Sequence, residues 1–293
     1  MGGSQSSRIR WSDSVGLQRH VVLLAGATGG IGRAIALRLQ EAGAALVLMG
    51  RNRNELAELK RTIRASGGDC MFVVADLSKA ASIARAVGEA ERRMERIDVL
   101  INAAGVQGPI GRFENVDPDA WARTIHVNLI GSAYLLRWVL PGMISRKFGR
   151  IVMFSGGGAV SPRPRFSAYA ASKAGVVRLA ETLAAEVQPF GITINSVAPG
   201  AINTRMLDEV ITAGEGAGSE FEAAVERRQN GGDDLRRTCD LVLFLAVDAA
   251  RGLTGKLVSA QHDAWETWEG RGSELNKTDL LTLRRVNSEA PHV

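Results

Sequence analysis

The chain has 293 residues, 45% hydrophobic and 23% charged, with a net charge of +5 and an isoelectric point near 9.6. This is the composition of a soluble globular chain with a real core, long enough for one large α/β domain or two small ones. Its arginines alternate with acids, as in Glu89, Glu91, Arg92, Arg93, Glu95 and Arg96, without interleaved aromatics, which excludes a nucleic-acid stripe.

Residues 1–19 are rich in Gly, Ser and Arg and are expected to form a mobile arm without a secretory leader. Val21–Ala25 is an apolar run that reads as a buried parallel strand. Gly26, Thr28, Gly29, Gly30, Ile31 and Gly32 follow in a glycine turn, and Ile31, Ala34, Ile35, Leu39 and Ala42 recur at helical spacing up to Gly43. The spacing is Gly-x-x-x-Gly-x-Gly. Glycine permits positive φ and a close backbone approach, and the first N–H groups of a helix attract an anion. These six residues are therefore candidate contacts for the pyrophosphate of a dinucleotide.

Ala45–Met49 is a second strand. No acid occurs in residues 46–51, whereas Arg51 and Arg53 are available to a 2′-phosphate, so NADP(H) is expected in preference to NAD(H). A helix over 54–65 leads to a strand over 71–75. Asp76 and Leu77 stand at its carboxyl end, Asp76 suited to an adenine amino group or to capping a helix over 78–95. The strand over 97–101 ends in Asn102, Ala103, Ala104 and Gly105, small enough for a close ligand. Asp117 and Pro118 open a helix running past Trp121, Ile125 and Leu129 to Trp138. Asn128 lies inside it, where Asn is unfavourable unless its side chain bonds backbone or water. A local disruption of the helix is expected there. The apolar stretch over 127–140 contains Arg137, and no membrane span is expected.

Arg150–Ser155 reads as the fifth strand. A glycine cluster and a Pro/Arg loop follow, then Tyr169 and Lys173, four residues apart on one helical face. A cation beside a phenol lowers its pKa from the usual ~10, which fits Tyr169 for proton transfer. That helix runs to Gly191. A sixth strand over 192–197 closes in Ala198, Pro199 and Gly200. Residues 201–236 break the rhythm with Gly214, Gly216, Gly218 and a short helix near 220–228, and are expected to form a substrate lid. A helix over 238–247 and a strand over 255–260 complete the domain, and residues 263–293 read as a tail carrying Trp265 and Trp268. Cys70 and Cys239 lie far apart without metal or disulfide spacing, which fits a reducing, cytoplasmic setting and predicts no metal. Seven strand patterns alternating with helices predict one α/β domain over 20–262, a doubly wound, seven-stranded parallel sheet with helices on both faces.

Gly26-x-x-x-Gly30-x-Gly32, Asp76, Asn102-Ala-Ala-Gly105, Asn128, Tyr169-x-x-x-Lys173, Asn195 and Pro199-Gly200 with Thr204 occur in the order of one family. Over residues 17–260 the chain resembles the short-chain dehydrogenase/reductases, which have the Rossmann fold. The resemblance implies that Tyr169 is the general acid or base. It implies that Lys173 lowers the Tyr169 pKa and holds the nicotinamide ribose, and that Asn128 holds a water relaying protons to Lys173. It implies that Pro199, Gly200, Ile202 and Thr204 line the nicotinamide, with hydride passing to or from a carbonyl or secondary alcohol. A homodimer or homotetramer is the expected assembly, with a small molecule as the substrate. Apolar faces on the helices over 125–140 and 170–187 suit such self-association.

One departure stands out. The family carries a Ser thirteen residues before the Tyr, and this chain has Gly156 there, with Ser155 one position earlier. Neighbouring strand residues face opposite ways, so Ser155 replaces that hydroxyl only if the three glycines re-aim it. Gly156 therefore keeps two further readings open: a non-catalytic NADP(H)-binding regulator or scaffold, and a lyase or epimerase on the same fold. Gly156–Val160, Arg163, Arg165, Met206, Leu207 and the lid are the expected pocket wall, with the two arginines available to an anionic substrate group.

Overall fold

The computed structural model describes residues 16–285. Seven strands alternate with helices: β1 (Val21–Ala25), α1 (Gly30–Glu41), β2 (Ala45–Gly50), α2 (Arg53–Ala65), β3 (Cys70–Val74), α3 (Ala80–Met94) and β4 (Val99–Asn102). The second half adds α4 (Pro118–Ile125), α5 (Gly131–Arg146), β5 (Gly149–Phe154), α6 (Ser167–Val187), β6 (Ile192–Ala198), α7 (Arg205–Ala213), α8 (Ser219–Asn230), α9 (Leu235–Ala246) and β7 (Leu257–Ser259). All five residues of β1 and all six of β5 are buried. Strands covered on both faces are apolar nearly throughout, which is why these runs do not alternate; the buried Arg150 of β5 pairs with Asp248 at 2.9 Å.

The sheet order is β3-β2-β1-β4-β5-β6-β7, and every neighbouring pair is parallel. Val22 and Leu24 of β1 join one core with α1, α2 and α9. Val21, Leu23 and Ala25 join the other, with α3, α5 and α6. The chain winds outward from β1 to β3, returns to β4, and winds outward again to β7. Ligands of such sheets bind at this reversal, beyond the carboxyl ends of the strands. There the loops after β1 and β4 touch: a Cβ on Gly26, whose φ is +79°, would stand 2.6 Å from the Ala104 nitrogen.

Three expectations change. The described end of the expected arm is packed: Leu17 is fully buried, and its N–H donates to the Ala42 carbonyl at 2.8 Å. Residues 1–15 lie outside the described residues. The expected tail is joined to the domain. Trp265 is buried, Lys256 Nζ donates to the Thr278 and Leu280 carbonyls at 2.7 and 3.0 Å, and the Leu257 N–H donates to the Leu281 carbonyl at 2.8 Å. The tail thus covers the free edge of β7, a place where unpaired strand groups invite association. Finally, α4 and α5 join through a π turn at His126–Ile130 into one helical run over 118–146, which continues past Pro141. By length and composition this run could cross a membrane. Its Leu135, Leu136, Val139 and Met143 instead fill the core against β4 and β5.

Candidate active site

The glycine turn leaves α1 without a side-chain cap at Gly29 and without an acid in its first turn. Its leading N–H groups and dipole therefore face the reversal point free for an anion. A Cβ on Gly32 would stand 2.1 Å from the Gly26 carbonyl oxygen, so this turn closes only with glycine. Thr204, at the entry to α7, stands over it, 3.3 Å from where a Gly30 Cβ would lie. Thr28 lies beside Gly50, and Ile31 is half-buried against the core. These residues make the cradle expected for a dinucleotide, and the chain present fits one.

At the ends of β2 and β3 a cavity of about 400 Å³ is lined by Arg51, Val74, Asp76, Lys79, Ser82 and Arg85, among others. Arg51, Lys79 and Arg85 make no ion pair with a carboxylate among the described residues. Arg53 instead lies 5.7 Å from the Phe72 ring centroid. Asp76 accepts from the Ser78 N–H at 2.9 Å and its hydroxyl at 2.7 Å. Partial burial works against its charge, but the Ser78 bonds, with Lys79 and Arg51 nearby, hold the carboxyl below its ordinary value. Leu77 is buried, its carbonyl against Gly131.

A buried polar network links β4, the π turn and α6. Asn102 Nδ2 donates to Ser132 Oγ at 2.8 Å, and Ser132 Oγ donates to the Asn128 carbonyl at 2.6 Å. Asn128 Nδ2 donates to the Val106 carbonyl at 2.9 Å and to Ser172 Oγ at 3.0 Å, while its Oδ1 accepts from the Val106 N–H at 2.8 Å. The Asn128 side chain therefore clamps the loop after β4 to α6, and the π turn is the disruption its position predicts. Gly105 sits in this network. A Cβ there would lie 3.4 Å from both Asn128 Oδ1 and Lys173 Nζ. Ser132 and Ser172 escaped the sequence reading; their spacing from Asn128 and Lys173 was the available signal.

Lys173 is buried, and its Nζ donates to the Phe154 carbonyl at 2.9 Å. Burial pulls its pKa down from 10.5 to about 8. Tyr169 is 8% exposed, under Leu207, Val210, Ala217 and Ala224 of the lid segment. The segment expected as a lid folds into α7 and α8, only the second of which the sequence predicts. The Ala201 N–H donates to Asp233 Oδ2 at 2.5 Å, and the Asp233 N–H to the Ala201 carbonyl at 3.1 Å, joining the two ends of this segment. Pro199 is buried, its carbonyl held by Thr238 Oγ1 at 2.8 Å; Gly200 takes φ +89° and Ile202 is buried beside them.

Two sequence expectations are corrected here. Burial raises the Tyr169 phenol above its ordinary value of 10, and the charge pulling against that is Arg163, not Lys173. Lys173 Nζ lies 5.7 Å from the ring centroid, occupied by a carbonyl. Ser155 is 3% exposed, its N–H donates to the Val197 carbonyl at 2.8 Å, and its hydroxyl has no protein partner among the described residues. A Cβ on Gly156 would stand 2.4 Å from Tyr169 Oη, so the phenol rests on the glycine backbone itself. Arg163 is not a free cation for a substrate anion, because its Nε and Nη2 are forked onto the Glu220 carboxylate.

A doubly wound sheet with a glycine cradle at its reversal and a buried Tyr/Lys pair beyond β5 defines a dinucleotide-dependent class of enzyme fold. The short chain dehydrogenase family model matches residues 20–214, and the chain belongs to that family of oxidoreductases. It is 35% identical to the oxidoreductase UcpA of Escherichia coli (strain K12) over 239 residues, 80% of this chain and 89% of that one. Dehydrogenase/reductase SDR family member 4 of Homo sapiens is 32% identical over 242 residues, 83% of this chain and 86% of its own length. Among solved structures, an NAD+-bound xylitol dehydrogenase superposes with a TM-score of 0.78 at 29% identity, covering 83% of this chain and 98% of that one. A gluconate 5-dehydrogenase from Burkholderia cenocepacia in complex with NADP and tartrate gives 0.76 at 29% identity, covering 84% and 95%.

Proposed function

We propose that the protein is an NADP(H)-dependent oxidoreductase that moves a hydride between the nicotinamide and a carbonyl or secondary alcohol. When bound, the nicotinamide supplies or accepts the hydride. Tyr169 supplies or takes the proton at the substrate oxygen, and Lys173 and Asn128 hold the ribose side of the site. The observation that carries this reading is the convergence of Gly105, Asn128 and Lys173 on one point, backed by the Asn102–Ser132 and Asn128–Ser172 bonds. Rigid support of this kind keeps reacting groups aligned. A Lys with a pKa near 8 is also able to shed and regain a proton near neutral pH.

The preference for NADP(H) rests on the cavity beside Arg51. Of the two arginines the sequence singled out, Arg51 lines it; Lys79 and Arg85 add two cations, and three cations without a carboxylate partner among the described residues suit a 2′-phosphate. The two cofactor-bound neighbours differ from each other, one holding NAD+ and the other NADP, so this chain's own charges carry the argument.

A panel of ketones, aldehydes and secondary alcohols, followed by NADPH and NADH absorbance, tests the reaction. Turnover with NADPH supports it. A second reading is favoured by Gly156: an NADP(H)-binding regulator without turnover. Binding of NADPH with no turnover across the panel selects that reading. Loss of substrate with no net change in NADPH points to a lyase or epimerase.

A further inference from the structure

Two side chains outside the proposed proton path meet over Tyr169. Arg163 lies across Phe166, its guanidinium carbon 3.9 Å from that ring's centroid and 5.5 Å from the Tyr169 centroid. Its side chain lies over Gly157, where a Cβ would be in ordinary contact with Arg163 Cδ and Cζ at 3.5 and 3.7 Å. Arg163 Nε and Nη2 donate to Glu220 Oε1 and Oε2 at 2.6 and 2.5 Å. Glu220 stands in the first turn of α8, where the helix dipole favours a carboxylate. One guanidinium thus joins the glycine platform, the aromatic floor beside Tyr169 and the lid.

Exposed ion pairs stabilise little. This one is a two-bond fork, with Arg163 only 16% and Glu220 34% exposed, which is the stronger geometry. The Glu220 carboxylate carries the charge opposite to the guanidinium that faces the phenol. Among the other charged groups near the site, Arg165 lies with its side chain against Gly218 at the start of α8. Lys173 is bound to the Phe154 carbonyl, and on α7 Asp208 pairs with Arg228 and Glu209 with Arg205.

We propose that Arg163 is a lid-linked positioning residue for Tyr169. Through Glu220 it holds α8 shut over the phenol. When the lid lifts, its guanidinium remains as an uncompensated charge facing the phenol, in a site where Gly156 offers no hydroxyl. The proposal rests on Tyr169 being the proton-transfer residue. It concerns no substrate contact by Arg163. An uncompensated cation within about 6 Å favours the phenolate, and the same cation paired to a carboxylate does so weakly.

The chain has two tyrosines, Tyr134 and Tyr169, so a Tyr134→Phe background labelled with fluorotyrosine carries a single ¹⁹F reporter at 169. Its titration midpoint and the amide exchange of residues 219–230 are measured in three variants. Arg163→Gln moves the midpoint to higher pH, Glu220→Gln moves it to lower pH, and Arg163→Lys stays near the wild type. Both Gln variants speed exchange in α8 by about 10- to 100-fold, the loss of a charge-assisted pair. Midpoints that move the same way in both Gln variants, or unchanged exchange, overturn the proposal. If Arg163→Gln fails to fold, Glu220→Gln alone decides: a lower midpoint supports the proposal, and an unchanged or higher one overturns it. These readouts do not depend on turnover. An active Tyr169→Phe enzyme would remove the proton-transfer reading while leaving the measured coupling intact.

Discussion

Gly156 and the Tyr169 phenol compete for one volume. The sequence marks Gly156 as a departure from the family, but thirteen residues of spacing say nothing of what fills the gap. The structure does: the phenol itself lies where a side chain at 156 would start. Restoring the family's hydroxyl is therefore expected to harm this chain. In Gly156→Ser, kcat/KM falls by at least about tenfold, roughly 1.4 kcal/mol of transition-state stabilisation, while NADPH affinity holds. A faster Ser variant would contradict the packing argument. Lys173 carries a second prediction at this scale. Its folded pKa, about 8, lies below the ordinary 10.5. Between those values the unfolded chain binds more protons, so stability from this group is lowest below pH 8 and rises with pH through the window. Denaturant titrations without cofactor should show wild-type stability gaining on Lys173→Met between pH 8 and 10, by no more than about 3 kcal/mol. A parallel pH dependence in the two proteins would contradict it.

Elements were legible where their chemistry is local. Asp117 caps α4 by accepting from the Asp119 and Ala120 N–H groups, as the Asp-Pro pair predicts. Asn128 announces the π turn. By contrast, α7 was hidden: its apolar Met206, Leu207, Val210 and Ile211 form a helical stripe whose purpose appears only against Tyr169 and Phe166. The α3 end was hidden for the same reason, because Lys79 and Arg85 meet Arg51 only across the sheet. Arg51→Ala is expected to weaken NADPH binding by about 10- to 100-fold in a fluorescence titration and to leave NADH unchanged, the size of a lost charge-assisted contact. Equal losses for both cofactors would place Arg51 outside phosphate recognition. The strip that covers β7 makes its own prediction. Lys256→Ala leaves the Thr278 and Leu280 carbonyls without their shared donor. The expected destabilisation is about 1–3 kcal/mol, seen as a lower denaturant midpoint at unchanged slope.

At the scale of the whole molecule, strand count, parallel pairing and the placing of helices on both faces follow from alternation alone, because a buried parallel strand must be apolar and must return through a helix. The strand order and the touching of the loops after β1 and β4 do not follow from any local pattern. They bring Gly26 to Ala104 and Lys173 to Gly105, and so assemble the site from residues far apart in the chain. The tail was misjudged because its polar surface conceals backbone pairing with β7 and the burial of Trp265. The whole arrangement ends in one phenol under α7 and α8, and the most direct test acts there. Tyr169→Phe should bind NADPH within about threefold of wild type, since the hydroxyl is not part of the cradle. Its rate of hydride transfer, followed by NADPH absorbance in single turnover, should fall by about 10²–10⁴, the range for a lost proton donor. A Phe variant that transfers hydride at the wild-type rate would contradict the account.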